Sequence, residues 1–365
     1  MSRRTVLRVA GDSPKRRGHD RGRQARDGIA RTWRVYDDLF TTVAAAGGMT
    51  LDVPALALRT VAATRAWAPE LAEEMEGVAE GAGVPFWVVA ALNARTEILA
   101  EAGAPRAGEC STLVHSGART TGGQCWDWHE ELAGSWHVQA VRGDTWGFAG
   151  ITEYGILAKI GVNEAGVGVL FNILGHTDDA ATGVPVHLVA RHVLGTAGSF
   201  AEAIGILTGA PVSASTVMSV VTADLAASVE TSPAGSAVIT PDDEGWLVRT
   251  NHFLDPVLAA GELRGRREPE TYDRHRLLTA RVLGRPGPDD PGDLAGLLSA
   301  HGDDGAEVCC HAPSEGALGT RWATLATVAV EPVERRLVVH EGGPCSARPS
   351  TWTTVTAPPR RAACM

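Results

Sequence analysis

A lone cysteine, Cys110, stands in the stretch GECSTLV, which follows the loop-like run EAGAPRAG. It marks the point at which helix-like sequence gives way to strand-like sequence. A thiol in such a place can act as a nucleophile on a carbonyl group, but a single cysteine at the start of a strand is also commonly a buried structural residue. The residue alone leaves both interpretations open.

The other cysteines show no recognisable ligand spacing. Cys309, Cys310 and His311 are consecutive, but vicinal cysteines cannot easily both point at one tetrahedral ion, and no second Cys/His pair sits at ligand spacing. Since we expect no secretory signal, the six cysteines are interpreted as thiols rather than as a disulfide framework. We expect no metal and no organic cofactor, and the glycines do not follow the GxGxxG pattern of a dinucleotide site.

The hydrophobic periodicity changes near Cys110. Before it, LALRTVAATRAWAPELAEEMEGVAEGAG and PFWVVAALNARTEILAEAG have apolar residues three to four positions apart, which predicts amphipathic helices. After it, runs such as WHVQAVRG, STVMSVVTAD and WATLATVAVEP predict strands, and KIGVNEAGVGVLF predicts a hairpin. Helical runs such as TYDRHRLLTARVLG lie between them. These grouped runs favour α+β layers over a doubly wound parallel sheet.

Length, charge and hydropathy exclude several classes of protein. The 365 residues are 44% hydrophobic, which is enough for a large core, and the net charge of -10 disfavours a nucleic-acid or membrane-surface partner. No stretch approaches the ~20 apolar residues of a membrane span. The basic N-terminal stretch is interpreted as a strand followed by a solvated helix face. We expect a protein of the cytoplasm.

Five motifs, taken in order, resemble one family. They are GECST, GGQCWDWH, GVNEAGVGVLFNIL, RTNHF and TYDRHR. Together they resemble the N-terminal-nucleophile (Ntn) hydrolases, and specifically the penicillin acyltransferase family (peptidase family C45), which is related to the bile salt hydrolases and penicillin V acylases. The resemblance runs from VAGDSPKRRGHDRGRQARDGI to RRLVVHEGGPC and so spans most of the chain.

The resemblance implies a double role for Cys110. In that family a precursor cuts itself immediately before a cysteine, which here is the Glu109–Cys110 bond. The freed α-amine can then serve as base for its own thiol, because pKa values near ~8.5 and ~7.7–8.0 both lie within reach of neutral pH. No separate histidine is required.

The resemblance also implies a partner for the new amine. Asp127, in QCWDW, matches an aspartate that accepts a hydrogen bond from the amine of the nucleophile in related families. The chain departs from the family pattern beside it, since Cys125 stands where asparagine is common. That departure weakens any binding role for position 125.

Two asparagines and an arginine complete the set implied by the resemblance. Asn172 in LFNIL and Asn251 in RTNHF match family asparagines whose amides can hold a tetrahedral oxyanion. Arg274 in TYDRHR resembles an arginine that the bile salt hydrolases place near the nucleophile, and Arg321 is a second candidate by its position before WATLATV. A solvated helix arginine remains an alternative for both.

The resemblance therefore implies an α+β fold, the four-layer αββα Ntn-hydrolase sandwich, with a mainly helical N-terminal segment. Residues 1–109 would form the α chain after self-cleavage and residues 110–365 the catalytic β chain, and the two chains would stay associated. The implied function is hydrolysis or acyl transfer at the amide bond of an N-acyl small molecule, through an acyl-Cys110 intermediate.

Three alternatives remain open. The first is a coenzyme A-dependent N-acyltransferase, which we rank below hydrolysis because no basic cluster lies near the motifs. The second is an unprocessed, non-catalytic binding protein on the same fold, since Glu109 stands where the penicillin enzymes have glycine. The third is a redox or metal protein built on Cys309 and Cys310.

Overall fold

The computed structural model describes residues 4–102 and 110–360. Within these ranges the helices are α1 (Pro14–Ala46), α2 (Val53–Trp67), α3 (Pro69–Ala82), α4 (Phe86–Asn93), α5 (Arg95–Glu101), α6 (Val186–Thr196), α7 (Phe200–Gly209), α8 (Arg264–Arg267), α9 (Glu270–Val282) and α10 (Pro291–Leu298). The strands are β1 (Val6–Val9), β2 (Ser111–His115), β3 (Thr121–His129), β4 (Trp136–Val141), β5 (Phe148–Glu153), β6 (Ile160–Asn163), β7 (Gly168–Ile173), β8 (Thr216–Val221), β9 (Ala226–Ser232), β10 (Gly235–Ile239), β11 (Trp246–Arg249), β12 (Trp322–Glu331), β13 (Arg336–Glu341) and β14 (Thr353–Thr356).

The strands form two sheets. The first sheet has the order β1-β4-β5-β6-β7-β8-β9-β10 and the second has the order β11-β2-β3-β12-β13-β14. Neighbouring strands are antiparallel except for β1, which pairs parallel with β4 in the register Val6 to Val138. The predicted hairpin is β6 and β7, and Gly166 turns it with a φ of 83° that suits glycine.

The two sheets pack face to face between two layers of helices. Helices α6 and α7 cover the outer face of the first sheet, and α9 and α10 cover that of the second. Along β2, Val114 belongs to the cluster between the sheets, whereas Leu113 packs under α9 and α10. Every residue of β3 is consequently buried. The chain is an α+β protein with the αββα order of layers, as the resemblance implied.

The N-terminal segment is mainly helical but is not a separate body. Its strand β1 forms an edge of the first sheet, and its helix α1 packs along α3. On α1, Thr32 Oγ1 donates to the carbonyl of Ser135, just before β4, at 3.4 Å. The described residues contain no helix that is both long and apolar enough to cross a membrane.

Helices α1 and α3 cross at backbone contact because glycines face glycines. A Cβ atom added at Gly18 would lie 1.9 Å from the carbonyl oxygen of Glu74, and one added at Gly77 would lie 2.0 Å from that of Lys15. Gly22 and Gly81, one turn further along each helix, are equally constrained, with contacts of 2.2 Å. Each helix therefore presents two glycines four residues apart to the other.

A buried ion cluster lies beside this crossing. Glu74 on α3 contacts Arg17 and Arg21 of α1 at 3.4 Å each and Arg191 of α6 at 2.7 Å. Burial alone would raise the pKa of Glu74, but the three guanidinium groups lower it to about 2. The prediction that α1 presents a solvated basic face was wrong for Arg17 and Arg21, which are 3% and 1% exposed.

The close crossing of α1 and α3 at these glycines should contribute to the stability of the fold. We expect Gly77→Ala to lower the free energy of unfolding by about 1–3 kcal/mol, because the new methyl group meets backbone that cannot move away without separating the helices. Gly205 is the matched control: it is exposed on α7 with open space at its Cβ position, so Gly205→Ala should raise the free energy of unfolding by roughly 0.5–1 kcal/mol. Urea denaturation of both variants would show this, and equal effects would contradict it.

Candidate active site

Cys110 lies immediately before β2 and is 6% exposed. Its backbone carbonyl oxygen accepts hydrogen bonds from Asn172 Nδ2 at 2.9 Å and from a terminal guanidinium nitrogen of Arg274 at 3.2 Å. The same arginine nitrogen donates to Ser111 Oγ at 2.9 Å. Two side chains thus fix the backbone of Cys110, the residue that the sequence singles out.

The residues around Cys110 come from three of the four layers. Asn172 lies on β7 of the first sheet, Asp127 lies on β3 of the second sheet, Asn251 follows β11, and Arg274 is buried on α9. The structure therefore brings together all five residues that the resemblance implied, from segments as much as 164 positions apart.

The two asparagines have partners on both ends of their amides. Asn172 Oδ1 accepts from Thr112 Oγ1 at 2.7 Å while its Nδ2 holds the Cys110 carbonyl. Asn251 Oδ1 accepts from Arg274 at 3.3 Å while its Nδ2 donates to the carbonyl of Ile173 at 2.8 Å. An amide nitrogen carries two hydrogens, so each asparagine has a second N–H beyond these bonds.

Asp127 lies beside the thiol. Cys110 Sγ is 3.8 Å from the backbone carbonyl oxygen of Asp127, to which the thiol donates. Burial raises the pKa of the Cys110 thiol, and the negative charge of the Asp127 carboxylate acts in the same direction. In the continuous chain the thiol is therefore protonated at neutral pH.

Arg321 lies elsewhere. Its guanidinium pairs with Glu130 at 3.1 Å and donates to the carbonyl of Pro313 at 3.1 Å. Of the two arginines that the sequence suggested, Arg274 is the one that contacts Cys110. The departure at Cys125 has a structural counterpart, because Cys125 faces away from the sheet interface and belongs to the cluster under α9 and α10.

The sequence reasoning missed a buried charged network next to the site. Glu153, at the end of β5, contacts Arg95 at 3.0 Å and Lys159 at 2.8 Å and accepts a hydrogen bond from Tyr36. The Arg95 guanidinium also lies over the Trp128 ring, 3.9 Å from its centroid. These contacts tie α1 and α5 to the first sheet.

Lys159 connects this network to Cys110 through its charge. The pKa of Lys159 is lowered to about 8, because burial and the charge of Arg95 lower it by more than Glu153 raises it. The positive charge of Lys159 in turn lowers the pKa of the Cys110 thiol against the effect of burial. The available signal was a single charge inside the apolar run GILAKIGV.

Two clefts adjoin the site. The first cleft has a volume of about 220 Å³ and is lined by side chains that include Leu99, Trp128 and Arg264. The second cleft has a volume of about 420 Å³, and Asp127 and His311 lie in its wall. Glu268 lines both clefts.

The comparison with protein families shows which family the chain belongs to. The model of the family described as acyl-coenzyme A:6-aminopenicillanic acid acyl-transferase matches residues 116–344, which is more than half of the chain. The chain belongs to this family. A protein of Emericella nidulans described as acyl-coenzyme A:6-aminopenicillanic-acid-acyltransferase 40 kDa form is 28% identical over 281 residues, which are 76% of each chain. The penicillin acyltransferase family thus places the chain among enzymes that act on N-acyl compounds.

Three solved structures are similar to parts of the chain. The N-acylethanolamine-hydrolyzing acid amidase ortholog of Caenorhabditis elegans has a TM-score of 0.44 and 16% identity over 61% of this chain and 93% of its own. Penicillin V acylase of Agrobacterium tumefaciens has a TM-score of 0.43 and 15% identity over 64% and 83%. A conjugated bile acid hydrolase mutant from Clostridium perfringens has a TM-score of 0.46 and 11% identity over 68% and 92%.

The charge of Lys159 should have a measurable effect on the reactivity of the Cys110 thiol. We expect Lys159→Met to raise the pKa of Cys110 and to slow its alkylation at neutral pH several-fold, because a nearby cation favours the thiolate. The chain has one other lysine, the half-exposed Lys15, so Lys15→Met is the matched control and should alkylate like the wild type. The rate is measured by peptide mass spectrometry across pH, and superimposable profiles for the two variants would contradict the prediction.

Proposed function

We propose that the chain is a self-processing N-terminal cysteine hydrolase that cleaves the amide bond of an N-acyl small molecule through an acyl-Cys110 intermediate. The observation that carries the proposal is the fixed carbonyl of Cys110, held by Asn172 from the first sheet and by Arg274 from the outer helix layer. Such a hold immobilises the residue whose thiol and amine would react, and positioning of this kind supplies much of an enzyme's rate advantage.

Self-processing would proceed at the bond before Cys110. Glu109 lies outside the described residues. The Cys110 sulfur would attack the Glu109 carbonyl as the thiol loses its proton, and the carbon–nitrogen bond would break as that proton passes to the Cys110 nitrogen. Water would then hydrolyse the thioester, leaving a carboxylate on Glu109 and a free thiol and amine on Cys110. This α-amine is the base that the protonated thiol of the continuous chain lacks.

Turnover would reuse the same groups. The amine of Cys110 would take the thiol proton, the sulfur would attack the substrate carbonyl, and the amine would then protonate the leaving nitrogen. Water would then hydrolyse the acyl-Cys110 thioester, which releases the acid and restores the thiol. The second N–H groups of Asn172 and Asn251 are candidate donors to the oxyanion, and Asp127 is the candidate acceptor for the amine. Arg274 would position Asn251 and Cys110 by its hydrogen bonds to both. The first cleft, with Leu99 and Trp128 in its wall, would take the acyl group.

Self-processing is tested by intact mass. We expect wild-type protein to give two chains, the larger beginning Cys-Ser-Thr, and Cys110→Ala to remain whole because it lacks the sulfur. Cys125→Ala is the matched control: Cys125 is buried on the strand paired with β2, and its loss should leave cleavage unchanged. An uncut wild-type chain with full activity would contradict self-processing. An uncut and inactive chain would favour the non-catalytic binding protein instead.

A second candidate is transfer from an acyl-coenzyme A donor, and one observation favours it. Arg264 and Arg267 line the first cleft, and Arg267 is exposed. Guanidinium groups are suited to bind phosphate. Hydrolysis remains the first proposal because water competes for any acyl-cysteine unless an acceptor is positioned.

Hydrolysis and acyl transfer differ in the ratio of free acid to new amide that they produce. With one N-acyl amide donor and rising amine acceptor, hydrolysis predicts that free acid dominates over new amide and that Arg267→Ala changes neither. Transfer predicts rapid use of an acyl-coenzyme A donor, preferential amide formation at millimolar acceptor, and a raised KM for that donor in Arg267→Ala. Arg276→Ala, at an exposed arginine of α9, is the control for loss of one surface charge. Chromatography of acid and amide measures the partition.

A further inference from the structure

Four potential metal ligands converge at one place away from Cys110. They are His301, Cys309, His311 and Cys345, and one ligand atom from each lies within 4.8 Å of each of the others. Cys309 and Cys345 are not bridged by a disulfide. The four residues come from the loop after α10 and from the turn after β13. This cluster takes no part in the reaction proposed above.

The three distances from His311 to the other ligand atoms match a zinc coordination shell. His311 Nε2 lies 3.2 Å from His301 Nε2, 3.5 Å from Cys309 Sγ and 3.5 Å from Cys345 Sγ. Zinc bonds of about 2.0–2.1 Å to nitrogen and about 2.3 Å to sulfur place tetrahedral nitrogens about 3.3 Å apart and a nitrogen and a sulfur about 3.6 Å apart.

Hydrogen bonding alone cannot account for this arrangement. A single imidazole nitrogen either donates one hydrogen or accepts at one lone pair. His311 Nε2 nevertheless has three neighbours at hydrogen-bond distance, two of them thiols. One cation at the centre would satisfy all four atoms at once.

We propose that His301, Cys309, His311 and Cys345 bind one zinc ion as two neutral imidazoles and two thiolates. Two sulfurs and two nitrogens in a tetrahedron are the donor set that zinc prefers in structural sites. Binding would release the two thiol protons to solvent. The proposal does not rest on the proposed function, since no step of the reaction uses these residues.

The vicinal pair separates in the way that such a site needs. Cys309 Sγ points into the cluster, whereas Cys310 Sγ donates to the carbonyl of Trp322 at 3.3 Å. Only one of the two cysteines is therefore a ligand, and the geometric objection to the pair does not apply. Gly343 leaves room for the sulfur, because a Cβ atom there would lie 2.5 Å from Cys309 Sγ.

The ion would stabilise one wall of the second cleft. His311 and the adjacent Cys310 line that cleft together with Asp127. Cys310 is fastened to β12 by its N–H bond to Thr324 Oγ1 at 2.9 Å, and Thr324 is the strand partner of Asp127. With four protein ligands the coordination shell is closed, as in a structural rather than a catalytic site.

The test is metal content and the cobalt spectrum. Wild-type protein purified without chelator should hold about one zinc per chain by mass spectrometry of the metal. Co(II) added to metal-free protein should give the visible bands of tetrahedral cobalt and a thiolate charge-transfer band. Cys345→Ser and His311→Ala, at the more accessible ligands, should each lower zinc retained against a weak chelator at least about tenfold. Cys310→Ser is the matched control and should retain zinc like the wild type.

Several results would overturn the proposal. They are wild-type protein that binds neither zinc nor cobalt, a Cys309–Cys345 disulfide found in protein purified without air, and zinc lost from Cys310→Ser but kept by Cys345→Ser. If both ligand variants fail to fold, the cobalt spectrum of the wild type decides alone, because thiolate charge transfer appears only when sulfur binds the metal.

Discussion

One side chain fixes how the two sheets face each other. Gln124 on the second sheet donates to the carbonyl of Phe171 on the first at 2.5 Å and accepts from the N–H of the same residue at 3.0 Å. Both groups are buried, so a shift between the sheets would leave amide and backbone unpaired at a cost of about 1–3 kcal/mol each. Because Asn172 follows Phe171, this register also brings its amide to the Cys110 carbonyl. The geometry of the site depends on this contact between sheets.

Buried carboxylates fix the position of the N-terminal helices against the rest of the molecule. Glu74 and Glu153 are both buried, and each is surrounded by more than one cation. Burial alone would raise the pKa of Glu153, but Arg95 and Lys159 lower it to about 2, so it stays ionised. Charges of this kind add little net stability when paired, but removing one partner typically costs about 3–5 kcal/mol. They therefore specify where helices dock more than they strengthen the fold.

Local sequence patterns predict where helices and strands begin and end. They do not predict contacts between residues that are far apart in the chain. Pro69 begins α3 and Gly83, with a φ of 71°, ends it, as their residue types predict. Arg17 is different: it looks solvated in the sequence because its partner Glu74 lies 57 positions away. Gln124 carries no signal either, since one polar residue in a strand normally points to solvent.

The site divides in the same way. Cys110 could be found because it marks the change from helical to strand periodicity, and Asn172 because it lies at the end of an apolar strand, whereas Arg274 came from the resemblance alone. Lys159 was visible as a charge in an apolar run, but nothing local named Glu153 as its partner. Ligand spacing rules also fail for Cys345, because it lies 34 positions from His311 and joins it only through the fold.

The parallel strand β1 has a consequence for the lifetime of the folded state. If the chain is cut before Cys110, the piece that carries β1 and α1 remains threaded into the first sheet by strand pairing with β4 and by the hydrogen bond of Tyr36 to Glu153. The intact chain can unfold and refold as a single molecule. Two separated pieces would have to reassociate at a rate set by their concentration. After the cut, the lifetime of the folded protein would therefore depend on its unfolding rate rather than on a reversible folding equilibrium.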